Sequence, residues 1–464
     1  MMKSTFGLPA ALRVFTLGAA WMASGPRQRM QRKNRTEKII CPNGAFPAPL
    51  ATCAHNPSIR SRRFGMRLVP LLCLFVTATF AADAPPVTVD AAKFPSLQAA
   101  FDSVPVSGGL VILPAGKFEI TEPLRIHTDD TRIVGAGAAT CIINKNEEGK
   151  PALILRPPTL DQDKKAKLWR VQLADFRIQG QEKSGDGIFA ESIQEIYLSG
   201  MSVDHHGGHG VQLLDCFEDP RISACIFTYN KKCGVEIINC HDIVVNANHF
   251  EENQDALHCT DSFNLCMNGN NVDDHLRHGV VIENTYGSVV SGNMIEECNG
   301  TAVILDRDCY GITLSANVIA HHLEGGIDLR DAHGCAISAT TFSLAPKFSV
   351  RVSADSGRNT LSANNFGNTY IGAGQDKRPA EGKTPMSIDE GTGILLEGTE
   401  SCTLSANTFA GLSTAAIWST RPCKGMLITQ NLATDCGRKL PTGSVWFSIE
   451  SDKASLVKDN VESR

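Results

Sequence analysis

The 464-residue chain is poor in aromatic residues, which make up 6% of it, with four Trp and five Tyr. A glycan-binding surface made of aromatic platforms is therefore disfavoured, Phe189 and Trp418 standing isolated. Strong charge is missing as well: 44 Lys+Arg against 49 Asp+Glu leave a net charge of −5. That balance argues against a broad nucleic-acid-binding face. No CxxC pair occurs, and the thirteen cysteines from Cys141 to Cys436 are odd in number. Both facts argue against zinc ribbons and a complete disulfide framework. Several recur near the repeat described below (Cys216 with Cys240, Cys335 with Cys402), as small stacked interior residues would. Helical periodicity is also lacking.

What is present begins with the N-terminus. Residues 1–65 are basic and irregular, as in "GPRQRMQRKNR", and read as an extension ahead of a later start at Met66. Residues 66–82 then follow the order of a secretory signal peptide. Arg67 supplies the charge, Leu68 to Phe80 an apolar run too short to anchor stably, and Ala81 and Ala82 the small residues of a cleavage site. This predicts an exported protein, periplasmic or extracellular, with no integral membrane anchor.

From there a repeat dominates. "HGVQLLD", "CGVEIIN", "HGVVIEN", "TAVILDR", "GGIDLRD", "TGILLEG" and "AAIWSTR" recur with a step of 22 to 24 residues, "ALHCTD" supplying a coil at Leu257. Asn248, Asn270, Asn293, Asn317, Asn364, Asn407 and Asn431 keep the same beat, with Thr340 standing in for one. An insertion around Gly372 to Glu390 stretches one interval. Units this short, filled with four-residue β-type runs, do not fit helix pairs, and the spacing of a leucine-rich repeat is absent. They fit coils of a parallel β-helix, three strands per coil, each paired with its equivalent ~4.8 Å away. The asparagines are expected to sit inward at bends, adopt the left-handed conformation and form a hydrogen-bonded ladder.

"PSLQAAFDSVPVSGGLVILPAGKFEI" (Pro95 to Ile120) resembles the helix and first strands that open pectate-lyase-like, right-handed parallel β-helix proteins. With the repeats, the resemblance spans residues 87–464 and implies an all-β solenoid with an N-terminal capping helix. It implies a glycan groove along the outer face of the first strand of each coil. The superfamily contains lyases, polygalacturonase-type hydrolases, alginate epimerases and non-catalytic repeat proteins, so fold alone does not choose among them. "RHGVVIEN" followed by "GTAVILDRD" is similar to a run in bacterial alginate epimerases, although their D-P-H-[DE] motif is absent. "GGHG" (Gly207 to Gly210) resembles an element of polygalacturonase-type hydrolases. The rest of that signature is missing, and a plain coil entrance is the preferred reading of His209.

Period-two alternation gives the outward residues. One column reads Gln212, Glu236, His258, Val281, Ile304, Asp328, Arg351, Leu395, Trp418, and the next Leu214, Ile238, Thr260, Glu283, Asp306, Arg330, Ser353, Glu397, Thr420. Charge is concentrated in the middle coils. Asp306, Arg307, Asp328, Arg330, His278 and His275 are the catalytic candidates, because close carboxylates, arginines and histidines separate pKa values into an acid and a base. His258, Glu283, Asp331, Arg351, Asp274 and His322 are the substrate-binding candidates. Arginines here would neutralise a uronate carboxylate. Calcium is the one cofactor considered, with Asp306, Asp308 and Asp328 as oxygen ligands.

The expected function is an exported carbohydrate-active β-helix protein, a lyase, epimerase or hydrolase of an acidic polysaccharide, working as a monomer. A non-catalytic polysaccharide-binding protein, or a structural or copper-delivery-associated periplasmic repeat protein, is the alternative.

Overall fold

The computed structural model describes residues 87–369 and 390–464. The extension, the signal peptide and most of the insertion lie outside the described residues. None of the described helices is long and apolar enough to cross a membrane.

The described chain winds into a parallel β-helix. The first strands of the coils form a 13-stranded parallel sheet running from Leu124–Ile126 through Val211–Leu214, Val235–Ile238, Leu257–Thr260, Val280–Glu283, Thr301–Asp306, Gly325–Leu329 and Phe348–Val352 to Phe447–Ser448. Second and third strands form a 27-stranded sheet, in which two long strands, Thr131–Asn144 and Gln172–Gln179, each run through both strand positions. Alternation follows the sequence pattern: Val280, Ile282, Val303 and Leu305 point inward and are buried. The insertion does not break the stack, since Leu361 pairs with Leu404 across it.

At the first coil, a short helix, Leu97–Asp102, turns Leu97, Ala100 and Phe101 into the core, with Ser96 as its N-cap. Gln98 finishes the edge of the 13-stranded sheet. Its Nε2 donates to Arg125 O (3.1 Å) and its Oε1 accepts from Arg125 N (2.8 Å), pairing backbone groups that an edge strand would leave open.

The asparagine ladder forms, but the left-handed residue is the one before each Asn. Ala247, Ala316, Ala339, Ala363 and Ala406 take φ of 50–55°, as Gly269 and Gly292 do at 62° and 64°. Each alanine costs about 1 kcal/mol there. The ladder offsets this: Asn270 Nδ2 and N both donate to Asn293 Oδ1 (2.9 and 3.0 Å), and Asn293 repeats the pattern on Asn317 (both 3.0 Å). A second ladder, Asn230 on Asn253 (2.8 Å), lies at the bend after the third strand.

All thirteen cysteines from Cys141 to Cys436 are free, and all but Cys266 are buried. The few aromatics are concentrated rather than scattered. Phe342, Phe366 and Phe409 stack inside, while Phe217, His241, Phe263, Tyr286 and Tyr310 stack at the turn after the first strand, centroids 4.6–5.3 Å apart. Because those outer rings cover one another's faces, they present edges to solvent, not a sugar-stacking platform.

Candidate functional site

The outer face of the 13-stranded sheet carries the columns in the expected register. Gln212, Glu236, His258, Val281, Ile304, Asp328, Arg351, Leu395 and Trp418 are successive partners, as are Leu214, Ile238, Thr260, Glu283 and Asp306. The register differs at the far end, where an irregularity between Leu396 and Glu397 places Arg421 opposite Glu397 in place of Thr420.

The middle coils pair their charges closely. Asp328, 1% exposed, accepts from Arg351 Nε (2.7 Å) and Nη2 (2.6 Å) and from Arg330 Nε (2.8 Å). Arg330 Nη1 stands 3.7 Å from Asp306 Oδ2, and Arg307 Nη1 donates to Glu283 Oε2 at 2.8 Å. Arg307 and Asp308 occupy the turn with φ of 59° and 64°. Asp308 N donates to Asp331 Oδ2 (2.9 Å), whose other oxygen meets His333 Nε2 at 3.1 Å. Both oxygens of Asp328 are thus committed to arginine, which makes it a poor proton acceptor and a poor calcium ligand. Asp306, Asp308 and Asp328 do not come together as one ligand group among the described residues; Asp308 is grouped instead with Asp331 and His333.

Two histidines expected on this face lie elsewhere. His275 is fully buried, its Nδ1 against Asn253 O (3.2 Å), and burial pulls its pKa down to about 4. His322 is fully buried too: Nδ1 accepts from Cys298 N (3.2 Å) and Nε2 meets Ile295 O (3.1 Å). Both continue the interior ladder at the bend after the third strand, where strand parity no longer tells inside from outside. Asp274 occupies that bend with φ 58°. His278 stands at the entrance of its strand, where Nδ1 accepts from Thr301 N (3.0 Å), and burial lowers its pKa.

A tighter centre lies one to three coils earlier. His258 Nδ1 is 3.0 and 3.2 Å from the two oxygens of Glu236, and Nε2 is 3.8 Å from Glu283 Oε2. Burial opposes the charge on His258, but the hydrogen bond and charge of Glu236, with Glu283 beyond, outweigh it and raise its pKa. Glu236 is pushed up by burial and more strongly down by His258, ending below the usual carboxylate value. His209 Nδ1 lies 3.7 Å from Glu236 Oε2, and burial lowers its pKa. Cys233 completes the group; burial and the charges of Glu236 and Asp255 push its thiol far up. Asp255, wholly buried, accepts from Arg277 Nε (2.9 Å) and from His278 N (2.8 Å).

His209 was read as a plain entrance residue, and Cys233 and Asp255 were not placed on this face. Extending the register two residues upstream of Val211, Val235, Leu257 and Val280 stacks His209, Cys233, Asp255 and His278 in one column, but that column shares the parity of those inward residues, so alternation does not place it on this face.

With this geometry in view, the family model of the periplasmic copper-binding protein NosD matches residues 226–378, about a third of the chain. No curated protein matches in sequence. Among solved structures, the tailspike protein of E. coli bacteriophage HK620, a mutant in complex with a hexasaccharide, aligns at 13% identity. The match covers 78% of this chain and 75% of that one, with a TM-score of 0.50. The A-module of the Azotobacter vinelandii mannuronan C-5 epimerase aligns at 16% identity over 82% of this chain and 100% of that one, TM-score 0.47. ORF18 of Geobacillus virus E2 aligns at 18% identity over 60% of this chain and 57% of that one, TM-score 0.41, so the chain spans little over half of that relative. At these identities the likeness is one of fold.

Proposed function

We propose that the protein is exported and acts on an acidic polysaccharide laid along the outer face of the 13-stranded sheet. One observation carries the reading. His258 is held through Nδ1 by Glu236, its Nε2 has no hydrogen-bond partner, and the guanidiniums of Arg307, Arg330 and Arg351 stand on the coils that follow. A groove with cations at successive coil spacings of ~4.8 Å suits a polymer carrying repeated carboxylates.

The chemistry this supports is β-elimination at a uronate. Arginine pairs with the sugar carboxylate and stabilises the negative charge that builds when the C5 proton leaves. His258 Nε2 takes the C5 proton, the C5–H electron pair forms the new C4–C5 double bond, the C4–O bond breaks, and the departing oxygen takes the proton back from Nε2. His258, oriented by Glu236, is the group that moves a proton at Nε2, with Glu283 beside it. The match to the periplasmic NosD model supports export, and the saccharide-bound tailspike is consistent with a glycan on this fold.

Incubation with polygalacturonate, alginate and neutral glycans, following unsaturated-product absorbance and reducing ends, tests the reading. Turnover of an acidic glycan that is lost in His258→Ala and Arg330→Ala is expected. If no acidic glycan is either turned over or bound, the reading is refuted.

A further inference from the structure

We propose that His209, Cys233 and Glu236 form a binding site for a divalent cation of the zinc class. Their ligand atoms, an imidazole nitrogen, a sulfur and a carboxylate oxygen, all lie within 4.8 Å of one another. Metal–ligand bonds of about 2.0–2.3 Å span such a group after small side-chain rotations.

Three independent features point to a cation. His209 Nδ1 is buried without a hydrogen-bond partner, and at 3.7 Å from Glu236 Oε2 it is too far to make one. A buried orphan nitrogen aimed at a carboxylate is a gap that an ion closes. Next, Cys233 sits between Glu236 and Asp255, its Sγ 3.9 Å from Asp255 Oδ2. As a thiol it donates a long hydrogen bond to Asp255 Oδ2; as a thiolate it would be repelled by the two carboxylates unless a cation lay among the three charges. Lastly, the residues around the trio are arranged as outer partners. His258 Nδ1 holds Glu236 at 3.0 Å, and Asp186 Oδ1 accepts from the backbone N of His209 at 2.7 Å. Such contacts orient ligands and typically matter tenfold or more in affinity.

The donor set decides the class of ion. Calcium and magnesium take oxygen shells, and this group offers one carboxylate. One thiolate, one imidazole and one carboxylate suit a borderline ion such as Zn2+, or Co2+ as its spectroscopic stand-in. The inference does not depend on the glycan reading, because metal uptake is measured without any glycan.

The test uses the full chain, freed of metal by dialysis against a chelator and titrated with Zn2+ by calorimetry and with Co2+ by absorption. One Zn2+ per chain, indifference to excess Ca2+ and a thiolate-to-cobalt charge-transfer band are expected. Cys233→Ser should abolish the band and weaken Zn2+ about tenfold or more, whereas Cys240→Ser, in another column, should keep both. If Cys233→Ser fails to fold, His209→Ala and Glu236→Gln read the same loss of affinity. Absence of stoichiometric Zn2+ uptake, or a cobalt band that survives Cys233→Ser, overturns the proposal.

Discussion

Asp328 grips Arg351 with two parallel hydrogen bonds, Nε to Oδ1 at 2.7 Å and Nη2 to Oδ2 at 2.6 Å, while only 1% exposed. The same carboxylate accepts from Arg330 on the other side at 2.8 Å. A buried charge met on both sides is a clamp between two coils. Removing it leaves two partly buried guanidiniums without their anion. Asp328→Asn should therefore cost about 2–4 kcal/mol, reduced from a fully buried pair because the arginines reach solvent. Urea unfolding would measure it. A loss under about 0.5 kcal/mol, the usual scale of a surface substitution, would mean the clamp is ornamental.

The interior ladder gives a second expectation. Asn293 Oδ1 accepts both the backbone N and the Nδ2 of Asn270, so Asn293→Leu strands the buried backbone N and removes one bond of Nδ2, which keeps Val245 O and Asn268 O. A cost of about 2–4 kcal/mol should follow. Adding Asn270→Leu should cost less than its own separate effect, since the bond between them is already gone. In contrast, Ala316→Gly relieves a left-handed alanine at φ 53° and should be neutral or stabilising, by at most about 1 kcal/mol. Ala316→Val should destabilise. Strict additivity in the asparagine pair would contradict a ladder that works as a unit.

The fold was legible in the sequence because a solenoid repeats one local geometry: once Gly210, Gly234 and Gly279 set the step, the parity of every strand residue followed. The interior valines and the outer columns came from that step alone, and the cap from the resemblance carried by Pro95 to Ile120. The site was harder to read for two physical reasons. Parity is undefined in a bend, so His275 and His322 could be assigned to the surface while burial and the inner ladder claimed them. Charge pattern also does not say which charges neutralise each other. Asp328 looked like a base until its oxygens proved to be taken by Arg330 and Arg351, whereas His209 and Cys233, outside the strand proper, turned out to face Glu236.

Acid should weaken the fold through the buried histidines. His206 and His275 are both fully buried, and burial pulls each pKa from 6.5 to about 4. Their unfolded forms take up protons first. The stability they protect is present in full above pH 6.5 and is lost as pH falls from there towards 4, where the folded forms protonate as well and the dependence levels off. Each contributes up to about 3 kcal/mol of that loss. Unfolding free energy measured between pH 7.5 and 4.5 should fall, and His275→Gln should flatten the slope by close to one proton. A slope identical in wild type and His275→Gln would exclude His275 as a source.

Thirteen reduced cysteines are unexpected in a protein proposed to be exported to an oxidising compartment, and burial is what makes them tolerable. Disulfide exchange needs a thiolate and access. Burial removes both, pushing Cys225 and Cys436 up to about 11 and Cys259 and Cys309 to about 12. Cys266 alone among the thirteen is part-exposed. Mass spectrometry after maleimide labelling at pH 7 should find Cys266 modified in the folded protein and the other twelve protected. All thirteen should label in denaturant. Rapid native labelling at Cys216 or Cys240, stacked on adjacent coils with Cys216 N 3.4 Å from Cys240 Sγ, would show that the solenoid opens locally at that turn.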